Sequence, residues 1–470
     1  MPERKLSRTT LSQVSASVKT PGYTTKPTET GVLHLGLGAF HRAHQAMVFD
    51  QLLREGDSRW GIHGVGMTQP GLVNKLRAQD GLYSVRIAGA TGVEWQVPGA
   101  LWQTSVATTE RQSVLNAIAS SSTRWITLTV TEKGYTPALA QLLIDGLRLR
   151  HAAGLAGLTV ASCDNLQGNG HKLQALIHAT ATAQDASLMQ WMDAHCAFPC
   201  SMVDRIVPAA TEEVADAAKA ALGLEDDCAL STETFWEWVI EDKFVDPADA
   251  ALLAKCGVRV TPDVHSYEEA KLRMLNGSHS AMALMGAITG RPYIATCIGA
   301  DHIREFVYRL MSREVSPHLS RADWADYRDA LIQRFGNPYL KHSVHQIATD
   351  SSQKIPQRWP PSILGQIAKG QSFEHHALAA AIFLRYTLAV DEQGHAYTLN
   401  DPQAESLLTL GKNQVSDAAG SLKTLLSRED LWGTELPHNT VWAERVAYWH
   451  DQVIHQGVDA TLKFAITLDA

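Results

Sequence analysis

The sequence predicts an α/β domain built on a parallel sheet, followed by a mainly α domain. Three observations carry this. Strand, glycine turn, helix and second strand follow one another within residues 31–66. Strand and helix patterns then alternate as far as residue 262. From about residue 265 helical spacing takes over and strand candidates become few.

Each element has its own signal. Gly31-Val-Leu-His-Leu-Gly36 is a short apolar run, the pattern of a buried parallel strand. Gly36-Leu-Gly38 makes a tight turn. Phe40 to Arg54 carries helical spacing, with Phe40, Ala43, Met47, Val48, Leu52 and Leu53 on or near one face. Gly61-Ile-His-Gly-Val-Gly-Met67 is the next strand and closes a βαβ unit. Trp125-Ile-Thr-Leu-Thr-Val130 and Leu158-Thr-Val-Ala-Ser-Cys163 are further strands, ending at Thr131-Glu-Lys-Gly-Tyr135 and at Asp164-Asn165. Chemistry in open α/β sheets collects at such carboxyl ends. Residues 210–223 read as a helix, and Val258-Arg-Val-Thr-Pro262 is extended and stopped by proline.

The boundary falls there. A Rossmann-like dinucleotide-binding domain is expected over residues 1–262, its first 30 residues a polar N-terminal extension, and a mainly helical substrate and catalytic domain over residues 263–470. Helices are expected at 266–289, 301–313, 322–335, 361–370, 373–388, 402–411, 415–427 and 439–456. Gly336-Asn-Pro338, Trp359-Pro-Pro361 and Leu436-Pro437 punctuate them as turns.

Composition narrows the function classes. The chain has 470 residues, 45% of them hydrophobic and 19% charged, which is ample for two cores. A net charge of −8 argues against nucleic acid as partner. No apolar run of about 18 residues occurs, so no membrane span is expected. The polar first 30 residues lack an apolar signal core, and the six cysteines form no C-x-x-C pair. The expectation is a cytoplasmic protein with reduced thiols. Cys196 and Cys200 are four apart without a second ligand pair, and the 20 histidines show no metal spacing, so no metal is expected. Oligomeric state is left open, and a monomer is compatible with the sequence.

Two stretches carry chemistry. Gly36-Leu-Gly38-Ala-Phe-His41 matches G-x-G-x-x-G at its first two glycines, with His41 in place of the third. The first glycine permits the turn and the second lets backbone approach a pyrophosphate. An ordinary two-glycine loop would look the same. After the second strand, Met67-Thr-Gln-Pro-Gly71 offers neither an acid nor an arginine, so Thr68 or Gln69 is left for the ribose. The other stretch is Lys271-Leu-Arg-Met-Leu-Asn-Gly-Ser-His279. In a helix turning ~100° per residue, Lys271, Asn276 and His279 share an arc of roughly 140°. A sheltered lysine can exchange a proton with an alcohol near neutral pH, while an amide and an imidazole hold the oxygen. The plain alternative is an amphipathic helix with Lys271 and Arg273 in solvent. Against it stand Gly277, which costs a helix ~1 kcal/mol, and a polar set flanked by apolar residues.

These residues resemble a known family. Lys271-x-x-x-x-Asn276-x-x-His279 is similar to the signature of the polyol-specific long-chain dehydrogenases/reductases, the mannitol dehydrogenase family. Gly36-x-Gly38-Ala-Phe-His-Arg-Ala-His-Gln45, Ser162-Cys-Asp-Asn165, Phe198-Pro-Cys-Ser-Met-Val-Asp-Arg-Ile-Val-Pro208 and Arg334-Phe-Gly-Asn-Pro338 match family blocks in order. Thr129-Val-Thr-Glu-Lys-Gly-Tyr135, Val239-Ile-Glu-Asp-Lys-Phe244 and Ser352-Gln-Lys-Ile-Pro-Gln-Arg358 resemble the branch that reduces D-fructuronate to D-mannonate more than the mannitol branch.

The resemblance implies an NAD(H)-dependent, metal-independent oxidoreductase of carbohydrate metabolism, with NADP(H) left open. Lys271 would be the general acid/base, Asn165 and Asn276 the oxyanion donors, and His279 the group that orients the substrate oxygen. Glu268 would pass protons between lysine and solvent, and Asp204 and Arg334 would line the substrate site. Gly36, Gly38, Ala39, Phe40, Thr68 and Glu132 would surround the cofactor. A sugar acid carries a carboxylate, and Arg334, Lys354 or Arg358 is expected to hold it. Three other readings stay open: a neutral-polyol dehydrogenase such as mannitol 2-dehydrogenase, a zinc alcohol dehydrogenase using Cys196, Cys200 and a histidine, and a nucleotide-binding regulator.

Overall fold

The computed structural model describes residues 4–24, 26, 29–89 and 92–468. It separates into two compact units, Met1–His265 and Ser266–Ala470. Among the described residues the strands, all in the first unit, are β1 (Val32–Leu35), β2 (Ile62–Gly66), β3 (Val85–Gly89), β4 (Gly92–Gln96), β5 (Leu101–Val106), β6 (Trp125–Leu128), β7 (Thr159–Ser162), β8 (Ser201–Asp204), β9 (Leu230–Glu233), β10 (Glu237–Glu241) and β11 (Arg259–Thr261).

The central sheet has the order β5-β2-β1-β6-β7, with every neighbouring pair parallel. β1, β2, β5, β6 and β7 have the buried apolar residues that parallel strands need on both faces. Val32, Ile62 and Trp125 enter one core with Phe49, Leu52 and Trp60. Leu33, Leu35, Val65, Ile126 and Leu128 enter the other with Leu143, Leu147 and Val160. The strand order reverses between β1 and β6, and ligands of such sheets bind at that reversal, beyond the carboxyl ends.

Two small sheets, β11-β10-β8 and β4-β3-β9, complete this unit. The helix expected over residues 40–54 is two helices, Ala39–Ala43 and Gln45–Arg54, broken at His44, whose φ of −125° and ψ of −90° are not helical. The described part of the polar extension packs on the unit. Leu6 and Val18 are buried with Leu82, Val97, Leu222 and Leu224, and Lys5 pairs with Asp227 at 2.6 Å. Residues 1–3, 25, 27 and 28 of that stretch lie outside the described residues.

The second unit is helical. Among its described residues the only β pairings are the single bridges Tyr293↔Ser343 and Val390↔Ala396. Gly277–Thr289 and Glu374–Tyr386 are buried along nearly their whole length, and both are largely apolar apart from a few buried polar side chains such as His279, His375 and His376. Thr440–Gln456 packs on Glu374–Tyr386. Trp359-Pro-Pro361 is not a free turn. It joins Ser351–Arg358 to Pro360–Ala368, and Trp359 N–H still donates to Ile355 O at 3.1 Å.

Candidate functional site

Gly36 follows β1 with φ +96°, and a Cβ there would stand 2.2 Å from Thr129 O. Only glycine fits such a position. Gly36 and Leu37 N–H both donate to Val65 O at 2.9 Å, and Gly38 opens the helix Ala39–Ala43. His34 braces the turn from below. Its Nδ1 lies 2.8 Å from Thr127 Oγ1 and its Nε2 2.9 Å from Thr129 Oγ1, which itself donates to Gly36 O. The His41 ring stacks on His34 with centroids 3.3 Å apart. A third glycine at 41 would leave that space empty. Burial lowers His34 to about 3 and takes His41 well below the ordinary imidazole range, so both rings are neutral. A turn this tight, at the strand-order reversal, fits a dinucleotide pyrophosphate. Ala39 and Phe40 follow it, while Thr68 and Glu132 are exposed in the loops after β2 and β6.

The loop after β7 is tied down from two sides. Thr131 N–H donates to Asp164 Oδ1 at 2.6 Å. Asn169 Nδ2 donates to Asp164 O at 3.0 Å and to Ser201 O at 2.8 Å, and its Oδ1 accepts from Ser201 N–H. Burial pushes the Asp164 carboxyl up to about 6, with the Glu132 charge adding. Asn165, the next residue, is exposed on this loop. Asp204 closes β8 and is buried. Its neighbour Arg205 donates to the backbone carbonyls of Ala43 and Glu233.

In the second unit Lys271–Asn276 is a π-helix continuous with Gly277–Thr289. Gly277 N–H reaches back to Leu272 O, a five-residue span. Such bulges are frequent at functional sites. Lys271 and Asn276, five apart, therefore fall one turn apart on one side, closer together than an ordinary helix would set them. Several fasteners hold the wide turn. Arg358 Nη1 donates to Asn276 O at 3.0 Å and to Ser280 Oγ at 2.7 Å. Trp359 Nε1 donates to Gly277 O at 3.1 Å. Arg273 is not turned to solvent: it pairs with Glu269 at 2.5 Å and donates to His318 O. Gly277 is not forced by crowding, since a Cβ there would meet nothing closer than 3.7 Å.

Lys271, Asn276 and Glu268 are half-buried, and His279 is buried. The His279 ring lies 4.7 Å from Phe335 and meets His342 edge-on at 5.3 Å. Burial, and then the nearby Lys354 ammonium, lower His342 to about 4. Lys354 Nζ donates to the carbonyls of Ile347 and Thr349. Arg334 is buried in the last turn of Trp324–Phe335. The structure thus groups Lys271, Asn276 and Arg358 at the wide turn, and His279, His342 and Lys354 beside it. Sequence reading passed over His34, Asp164 and His342. The first two lie inside quoted motifs but were given no role there, whereas a lone histidine at 342 carries no sequence signal.

Two family models match: the mannitol dehydrogenase Rossmann domain over residues 30–250 and the mannitol dehydrogenase C-terminal domain over residues 263–454. The chain belongs to the mannitol dehydrogenase family and is an oxidoreductase. Among its relatives, the D-mannonate oxidoreductase of Escherichia coli K12 is 36% identical over 96% of this chain and 98% of its own length. A mannitol 2-dehydrogenase of Phaeosphaeria nodorum is also 36% identical, over 97% of this chain and 85% of its own. The solved Pseudomonas fluorescens mannitol 2-dehydrogenase, a ternary complex with NAD and D-mannitol, aligns with a TM-score of 0.85 and 32% identity over 98% of this chain and 99% of that one. No helix among the described residues is long and apolar enough to cross a membrane.

Proposed function

We propose that the protein interconverts a keto sugar acid and its hydroxy acid, D-fructuronate and D-mannonate, with NAD(H) and without a catalytic metal. NAD(H), when bound, supplies or accepts the hydride. The observation that carries the reading is the wide turn, which holds an amine and an amide on one side next to a buried imidazole. In this reading Lys271 gives a proton to the reduced oxygen, or takes one from the alcohol. Asn276 donates to that oxygen, and the bond strengthens as negative charge develops. Asn165 is assigned as second donor on the family motif alone. His279 orients the oxygen, and Glu268 relays protons to Lys271. These groups do the polarising work that zinc does in other alcohol dehydrogenases. Gly36, Gly38, Ala39, Phe40, Thr68 and Glu132 are assigned to the cofactor, and Asp204 and Arg334 to the substrate wall.

The substrate carboxylate is assigned to Lys354, whose ammonium lies close enough to His342 to depress it, while His342 touches His279. Arg358 is taken by the wide turn. The E. coli relative supports the sugar acid, and the mannitol 2-dehydrogenase relatives support a neutral polyol as the second reading. A spectrophotometric panel separates them: fructuronate, tagaturonate and fructose, each with NADH and NADPH. Fructuronate with NADH should have the highest kcat/KM; a preference for fructose would overturn the assignment. Lys271→Ala should still bind NADH but lose turnover by orders of magnitude, and turnover that survives would remove the lysine from its role.

A further inference from the structure

Three metal-ligating side chains outside this chemistry meet in the first unit. His171 is on the helix Asn169–Thr180, Cys200 immediately precedes β8, and Glu241 ends β10. One ligand atom from each lies within 4.8 Å of the other two. We propose that His171, Cys200 and Glu241 bind a zinc-type divalent cation that clamps this helix to the β8–β10 edge.

The donor set selects the ion. A thiolate, an imidazole and a carboxylate form a borderline-soft set that suits zinc rather than magnesium or calcium. Thiolate and carboxylate together cancel a charge of +2. Two of the three ligands are already placed. Glu241 Oε2 accepts from Cys200 N–H at 3.0 Å, and Glu241 N–H donates to Cys200 O at 2.9 Å. The other Glu241 oxygen has no partner among the described residues. His171 is exposed, so its ring can rotate inward to close the remaining distance, and solvent can take the fourth position. Cys196, four residues earlier in sequence, is not part of the group.

The site has a consequence for the loop it adjoins. His171 is two residues from Asn169, whose side chain bonds both Asp164 O and Ser201, and Ser201 follows Cys200. A cation here would tighten the frame that carries Asn165. It would act on the position of that loop, not on the reacting atoms.

Cobalt titration of the metal-free full chain tests the proposal. Co²⁺ alone should bind one equivalent and develop a thiolate-to-cobalt charge-transfer band with the visible bands of tetrahedral cobalt. Zn²⁺ should bleach both and raise Tm. The band should vanish in Cys200→Ser and persist in Cys196→Ser. His171→Ala, a surface change that leaves the fold intact, should weaken Co²⁺ binding by about tenfold or more, since even outer partners of a metal ligand cost that much. No band in the wild type, or a band that survives Cys200→Ser, would overturn the proposal.

Discussion

Removing the guanidinium of Arg358 probes the wide turn directly. Its Nη1 holds Asn276 O at 3.0 Å and Ser280 Oγ at 2.7 Å. Hydrogen bonds from a charged donor contribute ~1.5–3 kcal/mol each. Arg358 is half-buried, so water recovers part of the pair and about 3 kcal/mol is lost in Arg358→Ala. At ~2–4 °C per kcal/mol for a unit of this size, Tm should drop by about 6–12 °C. Once its carbonyl anchor is gone, Asn276 shifts, and in its proposed role as oxygen donor that displacement should cost ~10² in kcat. The loss should be the same on a keto acid and on a neutral ketose, with KM little changed. Steady-state kinetics on both, with thermal unfolding alongside, make the comparison. A rise in KM confined to the acid, with kcat and Tm unchanged, would show that the guanidinium serves the substrate and not the turn.

Three further outcomes are expected. Gly36→Ala puts a Cβ against Thr129 O at a left-handed φ, so NADH affinity by fluorescence titration should fall at least ~10-fold, and unchanged affinity would refute the tight-turn account. The Asp164 carboxyl, raised to about 6 from 3.8, favours folding while protonated; that advantage is complete below pH 4 and lost as pH rises through 6, about 3 kcal/mol in all. Asp164→Asn should therefore flatten the change in urea midpoint between acid and neutral pH, and an unaltered slope would exclude the buried carboxyl as its source. For Glu314, burial favours the neutral form, yet His375 and His376 and their hydrogen bonds hold it at about 2. Its contribution is present above the ordinary carboxylate pKa and fades as pH falls toward 2, so Glu314→Gln should cost ~3 kcal/mol at pH 7 by denaturant titration and much less near pH 2.

What the sequence disclosed follows from length and repetition. The β1–turn–helix opening is legible because an apolar run meets a glycine pair. The long helices of the second unit are legible because their spacing persists for several turns. β3, β4 and β8 to β10 are four or five residues each, with polar residues interleaved, too short for alternation to stand out. Ser351–Arg358 is hidden by Pro356, normally a helix breaker. The Lys-Asn-His spacing was visible, but the wide turn was not. A five-residue hydrogen-bond span leaves no mark on hydrophobic periodicity, and only the carbonyls claimed by Arg358 and Trp359 reveal what stabilises it.

A protein with two imidazoles packed under the turn proposed for its cofactor pyrophosphate would be expected to grip phosphates harder in acid. Here the His34–His41 pair is too deeply enclosed to charge. If the cofactor pyrophosphate sits here as proposed, its attraction is left to main-chain amides, whose polarity no buffer alters. Acidification of the surroundings would therefore reach turnover through other groups, while leaving the hold on the nucleotide nearly constant.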